Sequence, residues 1–219
     1  MPRFLTGLAA ALTMFAVSST ARADILLHAN LSNSAENPPT LPTDSIGAPR
    51  PVSFGTADFV LNTAMTAMTF TATIFNIDFT GSQTPDTFDN LGNAHIHAAP
   101  TVTPTTNGPV VWGFIGAPFN DNNPNDMVVT PFATGVGGTV SGKWDLAEGN
   151  NTTLAAQLGN ILGNHSYINF HTVQFPGGEI RGNIMVVPEP SSFALLAAGG
   201  LLLVGYRVRT KTRRRANTN

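Results

Sequence analysis

The chain has 219 residues, a formal charge of −2 and no cysteine, which excludes a disulfide framework and thiolate chemistry. The near-neutral total hides a segregation. Only Arg50, Lys143 and Arg181 lie within positions 24–187, against twelve carboxylates, a formal −9 for that stretch. Nucleic acid is excluded as a partner, because its binding needs Lys and Arg to neutralise phosphate.

In chain order, Arg3, the uncharged run Phe4–Val17 and Ala21-Arg22-Ala23 form the pattern of a signal peptide over 1–23. Signal cleavage is read after Ala23, at an A-x-A site made by Ala21 and Ala23. Residues 24–187 are then expected to form one domain, since 164 residues can bury a sizeable core without disulfides. Their apolar pattern has period two. Met65–Phe75 puts Met68, Phe70, Ala72 and Ile74 on one face, and Ala67, Thr69, Thr71 and Thr73 on the other. Further strands are expected at Ile25–Leu31, Gly55–Leu61, Gly92–Ala98, Pro109–Ile115, Gly138–Leu146, Ser166–Thr172 and Glu179–Val186, and a short helix at Thr152–Leu162. Gly, Pro, Asn and Asp fill the connections, and neither an internal repeat nor βαβ alternation is present. The expected fold is all-β, an antiparallel Greek-key β-sandwich or barrel.

Three strands carry the polar chemistry. His95 and His97 share a strand face, with Ala94, Ile96 and Ala98 behind them. Tyr167, Asn169 and His171 share another, opposite Ile168 and Phe170, and Glu179 shares one with Arg181. If the strands are neighbours, three His, Asn169, Glu179 and Arg181 converge on one polar patch. Three neutral imidazoles suit zinc or copper, and three ligands leave an open position. His-x-His with a distant third His is similar to how the metal site of Cu/Zn superoxide dismutase begins, but five His in all exclude its two-metal set, and His28 and His165 lie off the shared face. The structural alternative has the three imidazoles hydrogen-bonded to nearby backbone and Glu179, with no cofactor. Arg181 is read as pinning the last strand through Glu179 or another carboxylate. Asp121–Asp126 offers oxygen ligands of the kind Ca²⁺ favours, but without EF-hand spacing it is read as a solvated turn. Trp112 and Trp144 are read as core. No nucleophile elbow marks a catalytic residue.

The last thirty residues combine Pro188-Glu189-Pro190, the apolar run Phe193–Tyr206 broken by Gly199, Gly200 and Gly205, and six basic residues in 207–215. At about 1.5 Å per residue the run is short for a bilayer core, and the flanking Arg and Lys are placed to snorkel to a cytoplasmic interface. This arrangement, 188–219, resembles the PEP-CTERM signal of Gram-negative bacteria. The resemblance implies a transmembrane helix at 193–206, processing by a membrane-embedded exosortase near Pro188-Glu189-Pro190, and export, often in extracellular-polysaccharide or biofilm settings.

Five landmarks of 24–187 resemble the chordin-type CHRD domain. They are Ala35-Glu36-Asn37-Pro38-Pro39, Ala94-His95-Ile96-His97, Gly108-Pro109-Val110-Val111, Tyr167-Ile168-Asn169-Phe170-His171-Thr172 and Pro176-Gly177-Gly178-Glu179-Ile180-Arg181-Gly182. The resemblance implies a secreted or surface β-sandwich with no established enzymatic activity. The expectation is therefore an exported, non-catalytic cell-surface or matrix protein. Its expected partners are signal peptidase, an exosortase-like enzyme, the membrane during sorting, and extracellular polysaccharide or surface proteins. The alternative is a mononuclear zinc or copper protein using His95, His97 and His171, with weak redox or hydrolytic activity.

Overall fold

The period-two segments pair into one antiparallel sheet. A computed structural model describes residues 23–188 together with Gly200 and Leu201. The strands are β1 (Ile25–Ser32), β2 (Phe54–Leu61), β3 (Ala67–Phe75), β4 (Leu91–Ala98), β5 (Val110–Ile115), β6 (Val128–Pro131), β7 (Gly137–Asp145), β8 (Ser166–Thr172), β9 (Ile180–Asn183) and β10 (Met185–Val186). One helix, α1 (Leu154–Leu162), begins where Thr153 accepts the Ala156 N–H as N-cap. The strand order is β5-β4-β8-β9-β1-β2-β3-β7-β6, with β10 paired to β1.

The two layers expected of a sandwich are two halves of this single curled sheet. The curl carries the inner face of β5 onto β3 and β7. Trp112 stacks on Trp144 with centroids 5.5 Å apart, and Phe70 meets Trp112 edge-on at 5.8 Å and Phe114 at 4.9 Å. Leu27, Ala29, Leu31, Phe59, Met68, Ile74, Ile96, Ile168, Phe170 and Ile180 fill the same core. In β3 the alternation holds as read, with Met68, Phe70, Ala72 and Ile74 buried and Thr69 and Thr71 exposed.

Two local differences have simple causes. Strand β6 escapes the periodicity because all four of its residues are exposed and it ends in Pro131, as suits an outer edge. The final strand is divided at Ile184, whose N–H turns to the Ser166 carbonyl while β10 goes on to pair with Leu27 and His28. Residues 1–22, 189–199 and 202–219 lie outside the described set. With them lie most of the expected signal peptide, including Ala21, and Glu189, Pro190 and the basic tail. Of the expected membrane helix only Gly200 and Leu201 are described, and both are helical. Among the described residues no helix is long and apolar enough to cross a membrane.

The stacked tryptophans differ in one respect. Trp144 Nε1 donates to the Glu148 carbonyl at 2.8 Å, whereas buried Trp112 Nε1 has no acceptor. Trp144→Phe should therefore destabilise the fold by about 1 kcal/mol more than Trp112→Phe, because only the former orphans a partner. Urea unfolding of the two variants side by side checks this.

Candidate functional site

Strands β4 and β8 are buried on both faces. Their apolar side chains enter the core, and every residue of β8 is buried. The register sets His97 opposite Tyr167, His95 opposite Asn169 and Asn93 opposite His171, with Asn169 opposite Arg181 on β9. Tyr167, Asn169, Arg181, His95, His97 and His171 thus share the outer face. Four loops roof it, each supplying polar partners.

The three histidines expose only 4%, 9% and 5% of their surface (His95, His97 and His171). His95 Nε2 lies 3.1 Å from the Ala117 carbonyl, His97 Nδ1 2.9 Å from the Gly108 carbonyl, and His171 Nδ1 3.0 Å from the Pro176 carbonyl. A carbonyl only accepts, so each of those nitrogens carries the ring N–H. The other nitrogens are then bare in the neutral rings. His95 Nδ1 faces His171 Nε2 at 3.2 Å, and buried His97 Nε2 has no partner. One ring nitrogen from each residue lies within 4.8 Å of the others. Burial, and then the neighbouring His171, lower the His95 pKa to about 4. Burial likewise lowers His97 to about 4, with His171, His95 and Arg181 acting in the same direction, and burial lowers His171. All three are therefore neutral near pH 7.

Gly113 makes the His95 contact feasible. It pairs with His95 across β4 and β5, and a Cβ there would lie 1.7 Å from the Pro118 carbonyl oxygen. Only glycine lets Ala117-Pro118 cross so close above β5. A glycine inside a predicted strand was the available sequence signal.

Beside the histidines, Arg181 lies over the Tyr167 ring at 3.7 Å, and Tyr167 stacks on His97 at 4.6 Å. The fully buried guanidinium donates to the Thr103 carbonyl at 2.5 Å, Asn107 Oδ1 at 2.9 Å and Asn183 Oδ1 at 3.3 Å. It forms no ion pair with Glu179. The carboxylate in this patch is Glu36, which accepts from Asn169 Nδ2 and from the Asn37 N–H at 3.0 Å. Burial raises the Glu36 pKa, partly opposed by these bonds and by Arg181. Gly178, at φ +130°, leaves room for the pair, since its Cβ would lie 2.5 Å from Asn169 Oδ1. Glu36 could have been suspected from its place in Ala35-Glu36-Asn37-Pro38-Pro39; Asn107 and Thr103 carried no signal.

Glu179 does not join the patch. It precedes β9, and its carboxylate accepts from Thr172 Oγ1 at 2.6 Å and from Ser53 Oγ, and pairs with Arg50 at 2.5 Å. Thr172 follows His171 and points to the opposite face, so Glu179 is drawn away from the histidines. None of the histidines bonds Glu179. His28 instead pairs with Asp58 at 2.7 Å, and His165 Nδ1 meets the Val102 carbonyl at 2.9 Å.

The Asp121–Asp126 segment turns through exposed Asn122–Asn125 as expected, but Asp121 itself is not solvated. Glu148 Oε1 accepts the Asn122 and Asn123 N–H groups at 2.9 and 2.8 Å and pulls the loop inward. Asp121 is left fully buried, with no hydrogen-bond partner for either oxygen. Burial, then the Asp126 and Glu148 charges, raise its pKa to about 6.

The described residues thus form a curled, ten-stranded antiparallel domain with a roofed polar face. The chain belongs to the CHRD domain family, whose model matches residues 27–184. A PEP-CTERM protein-sorting motif matches residues 186–214. Comparison with curated proteins and with solved structures returned no match. The sorting motif identifies an exported protein that is processed at the membrane by an exosortase-like enzyme and delivered to the cell surface or extracellular space.

Arg50→Met should destabilise the domain by about 3–5 kcal/mol, because it leaves Glu179 charged in a dry site. Chemical denaturation measures that loss. For Asp121 the folded pKa lies above the ordinary value, so the native state takes up the extra proton and its stability falls as pH rises through about 6. Asp121→Asn should remove that fall. Its advantage over the parent should be near zero at pH 4 and grow to roughly 2 kcal/mol at pH 7, read from denaturation midpoints at each pH.

Proposed function

We propose that the protein is a non-catalytic domain of the cell surface or extracellular matrix of a Gram-negative bacterium, presented to extracellular polysaccharide or to other surface proteins. The supporting observation is the junction between domain and address. Strand β10 ends at Val186, the Val187 N–H still bonds the Leu26 carbonyl at 2.9 Å, and Pro188 is exposed. The sorting motif starts at residue 186, so processing near Pro188 frees the folded domain without removing a strand. The N-terminal junction is similar: Ala23 is exposed, two residues before β1. We read the domain as residues 24–187, between a signal peptide at 1–23 and a sorting segment at 188–219.

The enclosure of the polar face supports the non-catalytic reading. Its histidines each give one ring nitrogen to loop backbone, Asn169 and Arg181 bond loop and neighbouring groups, and none of these side chains exposes more than a tenth of its surface. The acidic charge of the domain favours neutral or cationic polymers over anionic ones.

Deleting residues 188–219 should shift the protein from the surface and extracellular fractions to the periplasm. Fractionation with immunodetection reads the result, and unchanged surface retention of the truncated chain would overturn the proposal.

A further inference from the structure

The three bare ring nitrogens have no role in the export reading. Ordinary hydrogen bonding also leaves their arrangement unexplained. Two imidazole lone pairs facing each other at 3.2 Å repel, and a third nitrogen buried without a donor adds a desolvation penalty. One proton between His95 and His171 would relieve the first contact but not the second.

We propose that His95 Nδ1, His97 Nε2 and His171 Nε2 together hold a single zinc or copper ion. The spacing of one pair already fits. Nitrogens about 2.0–2.1 Å from a tetrahedral ion lie roughly 3.3 Å apart, against the 3.2 Å between His95 and His171; the whole set spans up to 4.8 Å, so the His97 ring closes in when the ion binds. The outer nitrogens fit as well. Each donates to a backbone carbonyl, of Ala117, Gly108 or Pro176, the arrangement that fixes the tautomer and aims the lone pair of a metal-bound histidine. The donor set selects the ion: three neutral imidazoles and no carboxylate suit zinc or copper and disfavour calcium and magnesium. Arg181, the nearest cation, stands behind the rings of Tyr167 and His97, with Glu36 close enough to offset its charge.

The ion ties β4 to β8 and, through the carbonyls, fixes three of the roofing loops. Three histidines leave the fourth position to a water, and because the site is enclosed the ion acts as a staple between strands and roof rather than as a centre open to substrate. This inference is independent of the surface-domain reading, because a metal-free protein can still be exported and a mislocalised one can still bind metal.

The test uses the mature protein as it is exported, isolated from the exported fraction and stripped with chelator. Titration with zinc, and separately with copper under reducing and oxidising conditions, should give one equivalent by elemental analysis after desalting. The melting temperature should rise by about 5–10 °C at free metal a hundredfold above Kd. The metal present before stripping distinguishes zinc from copper. His97→Gln should lose the bound equivalent, while His28→Ala should keep it. Should His97→Gln fail to fold, ring ¹⁵N spectra of the stripped parent decide: bare-nitrogen signals from all three histidines must vanish on adding one equivalent. Binding well below one equivalent, an unmoved melting temperature, retention by His97→Gln or unchanged ring signals would each overturn the proposal.

Discussion

Strands β4 and β8 are buried on both faces, and the paths of the long loops follow from that. An antiparallel strand at the surface needs to satisfy only its inner side, because water serves the other. Here the outer side is dry as well, and it carries His95, His97, Tyr167, Asn169, His171 and, from β9, Arg181. Polar groups withdrawn from water are tolerated only where partners replace it. The long connections of the chain supply them: Ala117, Gly108, Pro176, Thr103, Asn107 and Glu36 each come from a loop folded down over these strands.

Among the described residues, Arg50 and Arg181 divide this task between the faces of the sheet. Arg50 meets Glu179 beside Ser53 and Thr172, anchoring the Thr43–Ser53 connection to the start of β9. Arg181 lies on the other side, held by neutral acceptors and the face of Tyr167. That choice of neighbours matters for the histidines. A carboxylate among the three rings would favour their protonation. Glu36 is instead spent on Asn169 and Glu179 on Arg50, so the rings remain neutral and their inner nitrogens remain bases.

Sorting and folding are kept apart along the chain. The CHRD match ends at residue 184 and the sorting match begins at 186, within the two-residue strand that closes the sheet. Most of the positive charge lies in the terminal segments, which suits a membrane address and leaves the delivered domain strongly acidic. The domain's own stability rests on buried apolar contacts, the Trp112–Trp144 stack among them, and on the buried hydrogen bonds of its loops.

Strand positions, the inward faces of β3, β4 and β8, the grouping of three histidines and the sorting address were all legible in the sequence, because each depends on local period or composition. Alternation puts His95 and His97 on one side whatever lies elsewhere. It does not show whether that side is wet, which neighbour a side chain finds, or where a loop returns. Glu179 was misplaced for that reason: its partner Arg50 is 129 positions away. The role of Glu36 and the burial of Asp121 were not legible for the same reason, since their surroundings come from Asn169, Asn37 and Glu148 through loop paths with no periodicity. Within the strands, local alternation was enough to say which residues face together, and the terminal pattern was enough to say where the protein is sent. Which nitrogens of the three histidines are bare depends on the folded loops, because long-range contacts with loop carbonyls choose the tautomer.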